Sequence, residues 1–244
     1  MTTALVDALE ARGLVCTVGA GGKKSTCYAL AAALDRAIVT ATVRIPIFDD
    51  RVASVAVTED PRGALERVDQ SGWPLGLVPS RYDEVRYEGY DIETVGAVGR
   101  SEAAEAVLVK ADGARNRLFK APGEHEPQIP ATADTVLPVA SVKAVGEPLT
   151  EAVVHRPERV AELTGRSLGS EIRPVDIARV LTSELGGCKS VPSTATVVPI
   201  VNMCDTPALT SAGLAIAEAI HAQAAVPRVA LTRMDRGELV RIVQ

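Results

Sequence analysis

The segment GLVCTVGAGGKKSTCYALAAAL, residues 13–34, limits what this chain can become more than any other. Its first part is an apolar run ending near Val18, suited to a buried strand. Its last part places Cys27, Leu30, Ala31 and Leu34 on one face of a helix. Between them lies a glycine-rich turn with two lysines. Such a turn exposes consecutive backbone N–H groups at a helix N-terminus, where the helix dipole also favours anions, so phosphate is the expected guest.

The rest of the chain keeps the same rhythm. AIVTATVRI reads as a second strand and PRGALERVDQ as a helix opened by Pro61. AEAVLVKADG is an apolar run stopped by Asp-Gly, the look of an interior parallel strand that delivers an acid to the sheet edge. TADTVLPVAS and TATVVPIVNMCD are further strands, and TPALTSAGLAIAEAIHAQA is a helix with Leu209, Ile216 and Ile220 on one stripe. VPRVALTRM closes the chain. RPERVAELTG and RPVDIARVLTSELGG form a small helical section, with Pro157 and Pro174 at the starts and Gly165 and Gly186 past the ends. The stretch from about 73 to 99, cut by Gly and Pro, reads as a β-rich insertion. The expected fold is α/β with a mostly parallel sheet covered on both sides, P-loop NTPase-like. Residues 1–148 would carry the P-loop region, and 149–244 the helical section with strands completing the same sheet.

The turn residues Gly19, Ala20, Gly21, Gly22, Lys23, Lys24, Ser25 and Thr26 are the expected nucleotide cradle. Lys23 would reach the β- and γ-phosphates, and a hydroxyl of Ser25 or Thr26 would approach Mg²⁺. Gly19 lies four positions before Lys23, closer than in the usual P-loop and matching the shorter loops of Mur-type ligases. Asp112 is where P-loop proteins hold the acid that positions the Mg²⁺ water shell. Asn202-Met203-Cys204-Asp205 resembles the guanine-reading NKxD pattern with Met in place of Lys, so Asn202 and Asp205 are base-reading candidates. Lys120 and Glu124-His125-Glu126 make a polar loop able to hold substrate, metal or a general base, with Lys120 and His125 as catalytic candidates. His155 could cap a helix or face the site. His221 reads as surface.

Composition narrows the function classes. A net charge of -5 without any basic run disfavours a nucleic-acid partner. No stretch approaches the ~20 apolar residues of a spanning helix, and the N-terminus has no signal pattern, so no membrane and a cytoplasmic place are expected. Cys16, Cys27, Cys188 and Cys204 are scattered, which argues against a disulfide framework or structural zinc.

Taken in order, GAGGKKST, TATVRI, ADGARNRLFKAPGEHEPQIP, VHRPE and VNMCD resemble the YqeC-like family of selenium-dependent hydroxylase accessory proteins, over about Gly19 to Asp205. The resemblance implies a P-loop-like protein acting in the maturation of molybdenum hydroxylases that carry a labile selenium. Three departures stand out. Lys24 replaces the hydroxyl residue that usually follows the P-loop lysine, Lys110 replaces the acid before Ala-Asp-Gly, and Met203 replaces the lysine of NKxD. Two readings follow. One is an enzyme using Mg²⁺ with ATP or GTP, worked by Lys23, Ser25 or Thr26, and Asp112. The other is a non-catalytic carrier that grips a phosphate-bearing cofactor such as a molybdopterin nucleotide.

Overall fold

A computed structural model describes residues 2–244. A short helix, α1 (Thr2–Ala8), precedes β1 (Gly13–Gly19) and α2 (Lys23–Ala31), the expected strand–turn–helix. Next come β2 (Ala37–Ala41), the two-residue β3 (Ile45–Pro46), β4 (Ser54–Val57) and α3 (Pro61–Arg67). Asp60 caps α3 by accepting from Gly63 N–H at 2.9 Å, with Pro61 in the first turn. β5 (Leu75–Val78), β6 (Arg86–Tyr87) and α4 (Ile92–Gly99) follow.

The stretch read as a β-rich insertion therefore differs from expectation. β5 is a strand of the main sheet, β6 pairs with β3 in a separate two-stranded sheet, and the last third is a helix. Asp91 nucleates that helix by accepting from Thr94 N–H at 2.7 Å. Gly96 and Gly99 lower its intrinsic propensity and hide it from the sequence. Gly99 is required by packing, because a Cβ there would come within 2.9 Å of Leu14 on β1.

The second half holds β7 (Ala106–Lys110), β8 (Phe119–Lys120), β9 (Thr135–Ser141), β10 (Val154–His155), α5 (Pro157–Thr164) and α6 (Pro174–Thr182). Then come β11 (Thr196–Val197), β12 (Ile200–Asn202), α7 (Pro207–His221), β13 (Val229–Arg233) and β14 (Glu238–Val243). Gly165 ends α5 in the left-handed conformation, as expected. Gly186 does not cap α6, which ends instead at Ser183 in extended backbone. The final hairpin strand β14 was not foreseen.

These elements build a ten-stranded sheet in the order β14-β13-β12-β9-β1-β7-β2-β5-β4, with β11 also paired to β9. All its pairings are parallel except β13 with β14. Both faces are covered. Val15 of β1 packs in one core with Leu30 of α2 and Leu5 of α1, while Leu14, Cys16 and Val18 pack in another with Val95 and Val98 of α4. A third core joins α5, α6 and α7 to Ala140, Val201 and Leu231. Alternation along β1 thus sends successive side chains to opposite layers. No helix among the described residues is long and apolar enough to cross a membrane.

Candidate functional site

β1 lies between β7 and β9, so the turn after β1 sits beside the C-terminal ends of both. The register Thr17↔Lys110 brings Asp112 next to Gly19. Only the second half of the turn is open. Gly19 N–H donates to Asp112 Oδ2 at 2.9 Å, Ala20 N–H to the Val139 carbonyl at 2.9 Å, and Gly21 N–H to the Arg117 carbonyl at 3.0 Å. The N–H groups of Gly22, Lys23, Lys24 and Ser25, at the start of α2, have no acceptor among the described residues. Gly21 and Gly22, with φ of 78° and 143°, allow this close packing. A side chain at Gly21 would strike Ser141 N and the Leu118 carbonyl, and one at Gly22 would strike the Asn202 amide.

Asn202 clamps the turn to the neighbouring strand ends. Its Nδ2 donates to the Gly21 carbonyl at 2.9 Å, and its Oδ1 accepts from Thr232 Oγ1 and Met234 N–H, each at 3.0 Å. Asp205 lies apart, in a partly exposed ion pair with Lys143 at 2.6 Å. Asn202 is thus engaged with the turn and the neighbouring strands, and Asp205 with Lys143.

Below the turn runs a buried charge network. Lys23 folds back, donating to the Gly19 carbonyl and standing 2.8 Å from Asp112 Oδ1. At that distance the buried ammonium and carboxylate form a close ion pair. Lys120 reaches Asp112 Oδ2 at 2.8 Å, Glu126 Oε2 at 2.7 Å and the Gly113 carbonyl at 2.5 Å. Arg156 donates to the same Glu126 oxygen at 2.7 Å. Burial works against the Asp112 carboxylate, but the Lys23 and Lys120 ammoniums hold it below the usual range. Burial likewise opposes the charge of Glu126, yet Lys120 and Arg156 pull its carboxyl down to about 2. Burial lowers Lys23 further than Asp112 restores it.

A testable consequence concerns acid stability. Glu126 ionises at about 2 in the folded state against 4.5 ordinarily, so the unfolded chain binds more protons between those values. Its stabilisation is complete above pH 4.5 and is lost as the pH falls towards 2. Denaturant titrations across that window should give a steeper pH slope for the wild type than for Glu126→Gln; equal slopes would remove Glu126 from the network.

Above the turn is a cavity of about 570 Å³ lined by Gly22 to Ser25 of the turn and by Arg44, Arg86, Lys110, Arg115 and Arg117. No Asp or Glu lines it. Lys110 is only 7% exposed, donates to the Arg44 carbonyl at 2.8 Å and has no carboxylate partner among the described residues. Burial, then the Lys23 ammonium, bring it down to about 7. Arg44 and Arg86 stack on Tyr82, with guanidinium carbons 3.6 and 4.9 Å from the ring centre. Arg115, Asn116 and Met203, all around the cavity, hold left-handed backbone, a strain that often gathers at functional sites. A groove of about 800 Å³ meets the cavity at Lys24 and Ser25, floored by Leu5, Tyr28, Ala29 and Met234.

Lys23, Asp112 and Lys120 come together in the buried network. His125 does not join them, since its side chain is exposed and only its carbonyl is bonded, to Gln128 Nε2 at 2.6 Å. His155 pairs in register with Lys120; burial, Arg156 and Lys120 lower its imidazole to about 4. The residues expected to hold Mg²⁺ do not form one donor set. Thr26 is fully buried and donates to the Gly22 carbonyl at 3.1 Å, Asp112 is enclosed by two ammoniums, and only Ser25 lines the cavity. No cluster of three metal-ligating side chains occurs among the described residues. Burial raises all four thiols, to about 11 at Cys27, Cys188 and Cys204, which leaves none activated as a nucleophile.

Sequence reading missed Glu126 as the second anchor of Lys120, Arg156 as its partner, and the arginines of the cavity. The signal present was the density of basic residues in ADGARNRLFK, which the overall negative charge concealed.

The segments that build the turn, the Asp112 network and Arg156 fall within residues 15–158, where a family model described as YqeC protein matches this chain. A protein of Escherichia coli (strain K12) named "Uncharacterized protein YqeC" is 26% identical over 183 residues, covering 73% of this chain and 71% of that one. The family match spans more than half of the chain and contains the whole buried network, so the chain belongs to the YqeC family.

Proposed function

We propose that this protein binds a phosphate-bearing ligand, a nucleoside triphosphate first among them, at the start of α2. The observation that carries the reading is the set of four unbonded N–H groups, Gly22 to Ser25, opening on an acid-free cationic cavity. Helix N-termini of this kind favour phosphate through their N–H groups and dipole. The adjoining groove, lined by Leu5, Tyr28, Ala29 and Met234 and also by Asp50, Arg51, Asp235 and Arg236, offers room for a nucleoside beside the phosphates. ATP and GTP are both fitting probes. In its family setting the protein would act as an accessory in the maturation of a selenium-dependent molybdenum hydroxylase.

A second reading, carriage without turnover, is favoured by one feature. Asp112 is tied up by Lys23, Lys120 and Gly19, His125 is exposed, and among the described residues no carboxylate lines the cavity, so no carboxylate or imidazole base faces a bound phosphate. A molybdopterin nucleotide handed to a hydroxylase would suit such a site.

The test is a melting measurement with ATP, GTP and other nucleoside phosphates, paired with phosphate release. At a ligand concentration 100-fold above Kd, linkage adds about 2.7 kcal/mol, a rise of roughly 5–10 °C for a chain of this size. No shift with any nucleoside phosphate at millimolar concentration would sink the binding reading. A shift with steady phosphate release would dismiss carriage in favour of turnover.

A further inference from the structure

We propose that the cavity takes its phosphate ligand without a divalent cation, the ligand's charge being met by Lys24, Lys110, Arg115 and Arg117. This rests on the reading that a phosphate ester binds at Gly22 to Ser25.

The donor chemistry argues for it. Magnesium demands near-octahedral oxygen ligands and is commonly held through one or two carboxylates together with substrate phosphates and water. Among the described residues the cavity wall has no carboxylate and Ser25 supplies its only hydroxyl; Asp50 and Asp235 line the adjoining groove instead. The nearest acid on the adjoining strand, Asp112, is 1% exposed and has an ammonium 2.8 Å from each oxygen. Displacing either lysine to free it would strand a buried cation.

The wall is already cationic where a metal would stand. Lys24, Lys110, Arg115 and Arg117 line it, and none has a carboxylate within ion-pair distance among the described residues. Arg44 and Arg86 also reach the cavity, but Glu88 at 3.5 Å and Asp83 at 2.6 Å partly neutralise them. Lys110 is the telling residue. A buried ammonium whose only bond is to a carbonyl is costly, and an anion arriving in the cavity supplies the missing counter-charge. Four cations without partners match a di- or triphosphate better than a monophosphate.

The experiment is calorimetric titration of the full chain with ATP and with inorganic tripolyphosphate, in excess EDTA and in excess magnesium. Wild-type protein should bind both in EDTA at least as tightly as with magnesium. Lys110→Met should weaken binding in EDTA roughly 10- to 100-fold, the worth of one charge-assisted hydrogen bond. Lys24→Ala, on the half-buried first turn of α2, serves as a second variant and should show a similar loss. Lys110→Glu, which puts a carboxylate on the wall, should bind only when magnesium is present. If wild-type protein binds ATP only with magnesium, this inference is overturned while the binding reading stands. If folded Lys110→Met and Lys24→Ala both bind in EDTA as the wild type does, the cations are not the counter-charge. If neither ligand binds in either condition, the binding reading itself fails.

Discussion

Asp112→Asn should cost about 3–5 kcal/mol of folding stability, the usual loss when one partner of a buried ion pair is removed. The substitution keeps the shape and an acceptor for Gly19 N–H but removes the only carboxylate within ion-pair distance of Lys23 among the described residues. Two buried ammoniums would then face each other, with Glu126 left to answer Lys120 alone. For a chain of this length the melting point should fall by roughly 10 °C or more. Part of the penalty belongs to the protonated Lys23, whose burial favours the neutral amine, so that part should shrink as alkaline pH discharges it. Adding Lys23→Met to Asp112→Asn should recover part of the loss, because the coupling between contacting charges is then removed from both states. A loss under 1 kcal/mol for Asp112→Asn, by denaturant unfolding at neutral pH, would mean that the network is relaxed by water and is not the keystone described.

Lys110→Met should act in the opposite direction on stability. It exchanges a buried ammonium lacking a counter-ion for an apolar side chain of similar length, which removes a desolvation penalty on the order of a few kcal/mol. The sign with pH follows from its ionisation at about 7 in the folded chain against 10.5 ordinarily. Between those values the unfolded wild type binds more protons, so wild-type stability rises with pH. The advantage of the variant is therefore largest at and below pH 7 and fades towards 10.5. The same variant should lose phosphate affinity. Gain of stability with loss of binding is the mark of a residue kept for function at the expense of the fold. Urea unfolding of the two proteins at neutral and alkaline pH checks it; a destabilised Lys110→Met would show that the bond to the Arg44 carbonyl outweighs the burial of charge.

Much of this was legible along the chain, and for a local reason. Apolar runs, helical stripes, proline starts and Asp-Gly stops are properties of ten to twenty neighbouring residues, and they announced β1, α2, β7, β9 and α7 without reference to anything distant. They also marked Gly19 to Thr26 as a turn at a helix start and Asp112 as an acid at a strand end. α4 and β14 escaped. Two glycines weaken the helical signal of α4, and β14 is a half-buried edge strand that exists as a partner for β13.

Who meets whom was decided by the sheet order alone. Gly19 reaches Asp112 across 93 positions, and Gly21 meets Asn202 across 181, because β7, β9 and β12 all end on the same edge as β1. That crowding makes Asp112 the anchor of two lysines and Asn202 a clamp on the turn. A sequence shows which side chains carry charge. Whether a carboxylate is free to bind a metal depends on the burial and counter-charges around it, and those belong to neighbours that only the folded sheet assembles.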